Sequence, residues 1–277
     1  MTESNIARYP DLRGRVAIVT GAAKGIGQGI ARRLAAEGMR VVAGDKDGES
    51  LMATTNELRS GGGTVEPFHG DLSHDEGIDR LFDRTLDTFG TVDVLVNNAA
   101  DLHRSRLLDE HSELLELQLA TNIRGPYLCS QRAAAIMREA GGGSIIHISS
   151  VGAVRAHHRG FPYDVTKGAV NAMTLAMAVD LGEYGIRVNA IGPGVTRTYL
   201  TEAMTSPAAR RATEQGIPLR RSGTLADIGA MVAFLASSEA SYVTGQVIYV
   251  DGGITAQLSP HGPQALEKTG STEEEDT

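Results

Sequence analysis

Tryptophan is absent from the 277-residue sequence, aromatic residues make up 4% of it, and cysteine occurs once, as Cys129. A single cysteine excludes an intrachain disulfide and leaves no basis for a cysteine-built metal site, so Cys129 reads as a small core residue. Histidines do occur, but no pair stands at helical ligand spacing with a carboxylate, and no catalytic metal is expected. Long apolar runs are lacking too: nowhere do roughly eighteen apolar residues follow one another, so no membrane-spanning helix is expected. The opening stretch MTESNIARYPDLRG lacks the basic-then-apolar order of a secretion signal, which makes a soluble, cytoplasmic chain the expectation. Excess positive charge is the last absence. The formal net charge is −8, and residues 259–277 carry half of it, with Glu267, Glu273, Glu274, Glu275 and Asp276 set against Lys268. The remainder gives no general pull toward nucleic acid or anionic membrane, so neither is an expected partner.

What is present is glycine, 33 residues of it, in a chain 41% hydrophobic and 22% charged. That composition suits one large core with many tight strand-to-helix turns. Val16 to Thr20 is a short β-branched run ending at a glycine, the pattern of a strand buried on both faces. Ile26, Ile30, Leu34 and Ala35 follow at helical spacing, Gly38 stops the helix, and Arg40 to Ala43 begins a second strand. The alternation repeats, with strands near 65–68, 92–96, 144–148, 187–191 and 246–250. The expected fold is therefore α/β: a Rossmann-type, doubly wound sheet of seven parallel strands with helices on both faces, in a single domain. Residues 1–13 read as an N-terminal arm, 14–258 as the domain and 259–277 as an acidic tail without fixed structure. The less periodic segment 195–218 reads as a lid.

Three stretches carry chemistry. Thr20 to Gly27 places Gly21, Gly25 and Gly27 between a buried strand and a helix, together with Lys24 and Ile26. A turn of this kind lets backbone approach a diphosphate that the helix N-terminus then faces, although the spacing G-x-x-x-G-x-G departs from G-x-G-x-x-G. Asp45, at the end of the second strand, can accept hydrogen bonds from ribose hydroxyls and would repel a 2′-phosphate, which favours NAD over NADP. Lys24 is the counter-argument, since it could pair with that phosphate. Finally, Tyr163 and Lys167 stand one helical turn apart, so an ammonium group can lie beside a phenol and make the tyrosine a candidate general acid/base.

Together with Asp71-Leu72, Asn97-Asn98-Ala99, Asn122, Ser150 and Pro193-Gly194 with Thr198, these stretches resemble the short-chain dehydrogenase/reductase family over residues 14–253. The resemblance implies a catalytic set of Asn122, Ser150, Tyr163 and Lys167. Ser150 would hold the substrate oxygen and Asn122 would interrupt its helix to hold a water. It implies that Asp71 and Leu72 border the adenine and that Asn98 and Ala99 lie beside the cofactor. Pro193, Gly194, Val195 and Thr198 would seat the nicotinamide, while Lys167 would lower the tyrosine pKa and bind the nicotinamide ribose. Ala100 stands where the family usually has glycine.

The activity so implied is hydride transfer between a secondary alcohol and NAD. Arg155, His157, His158 and Arg159, between Ser150 and Tyr163, weakly favour a polar substrate such as a sugar, polyol or hydroxy acid. An NADPH-dependent ketone or 3-oxoacyl-thioester reductase is the alternative, because Ile217 to Arg221 resembles that branch. A catalytically silent dinucleotide-sensing scaffold is a second one. A homotetramer is also implied. Ala169, Ala172 and Ala176 form a small apolar helix face that fits either close helix approach or packing on the sheet.

Overall fold

A computed structural model describes residues 9–109 and 112–258; the acidic tail and most of the expected arm lie outside the described residues. β1 (Val16–Thr20), β2 (Arg40–Asp45), β3 (Thr64–His69), β4 (Val94–Asn97), β5 (Gly143–Ile148), β6 (Ile186–Pro193) and β7 (Val247–Val250) form one sheet, ordered β3-β2-β1-β4-β5-β6-β7. Every pairing is parallel. The intervening helices are α1 (Gly25–Ala36), α2 (Gly48–Ser60), α3 (Asp75–Phe89), α4 (Ser112–Gln118), α5 (Gly125–Ala140), α6 (Tyr163–Leu181), α7 (Tyr199–Met204), α8 (Pro207–Gln215) and α9 (Leu225–Ala236).

Strand alternation sends side chains to two cores. Ala17 and Val19 meet Ile30 and Leu34 of α1, Leu51 of α2 and Ile228 of α9. Ile18 and Leu95 meet Leu81 of α3 and Met137 of α5 on the other face. Because β1 is buried at every position, it has no polar face, and its sequence shows none. Truncating one such side chain to alanine typically costs about 2–5 kcal/mol, a large share of a domain's stability. The chain ahead of β1 joins this core: Leu12 is fully buried, and Asp11 accepts from the Ser238 amide at 2.8 Å.

Three boundaries differ from the sequence pattern. Val92 is buried but lies ahead of β4, where the Asp93 carboxylate takes the Val16 amide at 2.7 Å. Gln246 lies ahead of β7, its amide held by the Asn189 side chain at 3.0 Å. The expected lid contains α7 and α8, each started by a hydroxyl cap, Thr198 and Ser206. α8 buries no residue, so it carries no apolar stripe that would have betrayed it. In α6, Tyr163, Thr166, Lys167, Val170, Thr174 and Ala178 are buried, whereas Val165, Ala172, Leu175, Ala176 and Val179 are exposed. Ala172 and Ala176 therefore do not pack on the sheet. Among the described residues, no helix is long and apolar enough to cross a membrane.

The strand order reverses direction between β1 and β4. Crossovers leave these neighbours toward opposite edges, which opens a crevice above their carboxyl ends. The loops after β1, β4, β5 and β6 converge there.

Candidate active site

The crevice holds a cavity of about 810 Å³, lined at one end by Ser150, Tyr163 and Lys167 and at the other by Gly25, Asp45 and Asp71. Tyr163 is the first residue of α6 and is almost fully buried, as are Ser150, just past β5, and Lys167, one turn along α6. The Lys167 ammonium lies 5.6 Å from the phenol ring centroid and donates to the Ile148 carbonyl at 2.8 Å. Burial pushes its pKa down to about 8. The Ser150 hydroxyl accepts from the Gly152 amide at 3.0 Å. Its neighbour Ser149 faces inward, donating to the Asn171 side chain at 2.6 Å, which makes it a structural hydroxyl.

Burial holds the Tyr163 phenol above its ordinary value; hydrogen bonding to Ser150 and the charge of Arg104 pull the other way. The Arg104 guanidinium carbon lies 4.9 Å from the ring centroid, nearer than the Lys167 ammonium. Two cations thus lie beside the ring, Lys167 from α6 and Arg104 from the loop after β4, and the charge of Arg104 is one that the resemblance did not imply. Lys167 is desolvated and committed to a carbonyl.

Asn122 sits in a π-helical turn, Leu119–Arg124, between α4 and α5. A π turn inserts a residue into the helix, and here the displaced side chain is buried. Its oxygen accepts from the Asp101 amide at 2.7 Å, and its nitrogen donates to the Asp101 carbonyl and the Thr166 hydroxyl, both at 3.0 Å. Both amide hydrogens are spent on protein. Asn122 therefore ties the loop after β4 to the first turn of α6.

At the other end, a Cβ on Gly27 would overlap the Gly21 carbonyl, and one on Gly21, whose φ is +66, would lie 2.8 Å from Ala99 Cα. A Cβ on Gly25 would meet only Thr198, at 3.7 Å, so this glycine faces open space under the lid. α1 begins there at Lys24 with no side chain capping its first turn, while Ile26 is partly buried. Asn98 donates to the Thr20 and Gly21 carbonyls at 2.9 Å, so its amide shapes the glycine turn. The Ala99 amide donates to the Thr20 hydroxyl. Asp45 accepts from the Ala23 and Asp47 amides, both at 2.9 Å. Lys24 pairs with Asp47 at 2.8 Å. Asp71 accepts from the Ser73 amide and hydroxyl, and Leu72 lines the cavity beside it. Pro193 ends β6, and a Cβ on Gly194 would meet Asp251. Val195 accepts from the Gly223 amide, and Thr198 caps α7 at the cavity wall.

The chain's likenesses agree with this geometry. A family model described as Enoyl-(Acyl carrier protein) reductase matches residues 21–255. The 3beta-hydroxysteroid dehydrogenase 1 of Eggerthella lenta is 37% identical, over 89% of this chain and 96% of its own. The L-fucose dehydrogenase of Oryctolagus cuniculus is 40% identical, over 92% of this chain and 88% of its own. A 7α-hydroxysteroid dehydrogenase complexed with NADH and 7-oxo glycochenodeoxycholic acid superposes with a TM-score of 0.84 at 33% identity, over 88% and 96% of the two chains. The chain belongs to the short-chain dehydrogenase/reductase family. Like other members, it is an oxidoreductase of CH–OH groups that uses a nicotinamide cofactor.

The residues present fit such a cofactor. A glycine cradle, an uncapped helix start and a carboxylate at the end of β2 are the donor and acceptor set that a dinucleotide requires. The cationic loop ahead of Tyr163 is divided. His157 lines the cavity with its Nδ1 bonded to Asp164 at 2.7 Å, whereas Arg155 turns away to the Thr255 and Gln257 carbonyls, and His158 and Arg159 are exposed. Arg104, with His103 after β4, is open from the sequence to the same substrate-side reading as that cationic loop, whereas Asp164 was not legible as a site residue. For Asp164 the available signal was an acid directly after Tyr163 in the first turn of α6.

Proposed function

We propose that this short-chain dehydrogenase/reductase oxidises a polar secondary alcohol with NAD. The observation that carries this reading is the grouping of Ser150, Tyr163 and Lys167 beneath two polar side chains, Arg104 and His157, at one end of the cavity. Bound NAD supplies the hydride exchange. Ser150 donates a hydrogen bond to the alcohol oxygen, and Tyr163 as phenolate takes the hydroxyl proton while the carbinol C–H electron pair leaves as hydride, closing the C=O bond. Lys167 presents an ammonium to the nicotinamide ribose, and Asn122 holds the first turn of α6 in register. Gly21, Gly25, Ile26 and Gly27 would hold the diphosphate. Asp71, Leu72, Asn98 and Ala99 would flank the adenosine side and the ring, and Pro193, Gly194, Val195 and Thr198 the carboxamide.

Asp45 supports NAD because its charge repels a 2′-phosphate. Lys24, the best support for NADP, is drawn toward Asp47 instead. The test follows absorbance at the NADH band with NAD and NADP against polyols, sugars, hydroxy acids, steroids and 3-oxoacyl thioesters. Turnover of a polar alcohol with NAD is expected; turnover confined to NADPH and a thioester overturns the reading.

The exposed face of α6, with Val179 82% and Leu175 54% exposed, supports self-association through this helix as part of a homotetramer. Sedimentation is expected to give four times the 29.2 kDa chain mass; a monomer at micromolar concentration rejects it.

A further inference from the structure

We propose that Arg104 binds a carboxylate carried by the substrate, so that the alcohol this enzyme selects is a short hydroxy acid with its carboxylate one or two carbons from the carbinol carbon. The proposal rests on the dehydrogenase reading above and narrows its substrate.

Arg104 lines the same cavity as Ser150 and Tyr163, and its guanidinium stacks over the phenol ring. It has no acidic partner among the described residues. Of the other cations on the cavity wall, Lys24 is paired with Asp47 and His157 with Asp164, while Lys167 donates to the Ile148 carbonyl and Lys46, also without an acidic partner among the described residues, lies beside Asp45 away from the tyrosine. The nearest acid in the Arg104 loop, Asp101, is committed to His103 at 2.9 Å and to the Gln118 side chain at 2.9 Å. Arg104 is exposed to solvent at the cavity wall beside the reacting groups, and a guanidinium fork there matches a carboxylate with two parallel hydrogen bonds.

The loop that carries Arg104 is pinned to the segment that carries the tyrosine. Ser105 donates its amide to the Phe161 carbonyl at 2.8 Å, and Asn122 holds the Asp101 amide at 2.7 Å. Arg104 thus keeps a fixed offset from Tyr163, which a specificity contact requires. This nearness also limits the ligand. A thioester or nucleotide substrate carries its phosphates many bonds from the reacting carbon, out of reach of a guanidinium held against the phenol ring. A carboxylate close to the carbinol carbon is within reach.

The test compares 2- and 3-hydroxy acids with their primary amides in NAD-dependent oxidation by the full chain, for wild type, Arg104→Ala and Arg104→Lys. Wild type is expected to prefer the acid by about ten- to a hundredfold in kcat/KM, the range of a charge-assisted hydrogen-bonded contact. Arg104→Ala is expected to collapse that ratio toward one, mainly through the KM of the acid, and Arg104→Lys to restore part of it. If Arg104 only positions or activates Tyr163, acid and amide fall together and the ratio stays put, which overturns the proposal. A calorimetric titration of malonate, with NADH present, decides independently of turnover. Binding at least tenfold weaker in Arg104→Ala supports the site, and equal binding rejects it. Should no alcohol be oxidised at all, the dehydrogenase reading falls while the malonate titration still rules on the anion site.

Discussion

Tyr163→Phe is expected to lower kcat for alcohol oxidation by about a thousandfold while NADH affinity, followed by fluorescence titration, changes less than twofold. The size follows from what a positioned acid/base contributes, about 10²–10⁴ in rate, or about 4 kcal/mol at the middle of that range. The affinity is spared because the phenol hydroxyl sits among Ser150 and Arg104, away from the glycine turn. Folding is expected to survive, since the ring keeps its buried place at the start of α6.

The pH profile supplies a second readout. Burial holds the phenol above its ordinary value, with Ser150 and Arg104 opposing from two loops and Asp164 on α6 adding to the rise. His157, 6.4 Å away ring to ring, and Lys167 complete the groups that face it. Only the phenolate takes a proton, so below that value the competent fraction grows with pH. Oxidation by wild type is expected to rise between about pH 6 and pH 8. Reduction of the matching ketone draws on the protonated phenol and is expected to stay flat over that range. In the Phe variant the oxidative rise disappears. A Phe variant with wild-type kcat, or one that keeps the rise, removes Tyr163 from the proton path.

The parts legible in the sequence were those whose causes are local or periodic. β1 announced itself because burial on both faces demands an unbroken apolar run, and the glycine turn because backbone overlap admits no other residue at Gly27. The seven-stranded sheet and the family followed from such signals in fixed order. Long-range pairings left no local trace. Arg104 reaches Tyr163 only because the Ser105–Phe161 bridge joins two loops distant in sequence. Arg155 and His157 look alike in a cationic stretch, yet one clasps the Thr255 and Gln257 carbonyls and the other enters the cavity. α8 escaped notice because it packs no residue into a core, so its helical period had no apolar stripe to mark it.

Asp45 carries the other large expected effect, on the choice of cofactor. Its two oxygens already accept the Ala23 and Asp47 amides, one from the glycine turn and one from the turn into α2. Each retains a further lone pair for a ribose hydroxyl. Asp45→Ala therefore removes the ribose acceptor and slackens the turn that shapes the diphosphate site. Each lost charge-assisted bond is worth about 1.5–3 kcal/mol, so the KM for NAD is expected to rise about ten- to a hundredfold. NADP is expected to lose far less, because the repulsion of its 2′-phosphate goes with the carboxylate, and the NAD/NADP ratio of kcat/KM then falls by at least tenfold. Lys24 supplies the internal control. It is exposed and held by Asp47, whose carboxyl the Lys24 ammonium keeps well below the usual carboxylate range. Adding Asp47→Ala to Asp45→Ala frees that ammonium beside the vacated ribose corner, and the double variant is expected to prefer NADP outright. The ordering wild type, single variant, double variant in falling NAD preference is what an electrostatic ribose site requires. A ratio that stays constant across the three places the adenosine ribose elsewhere in the crevice.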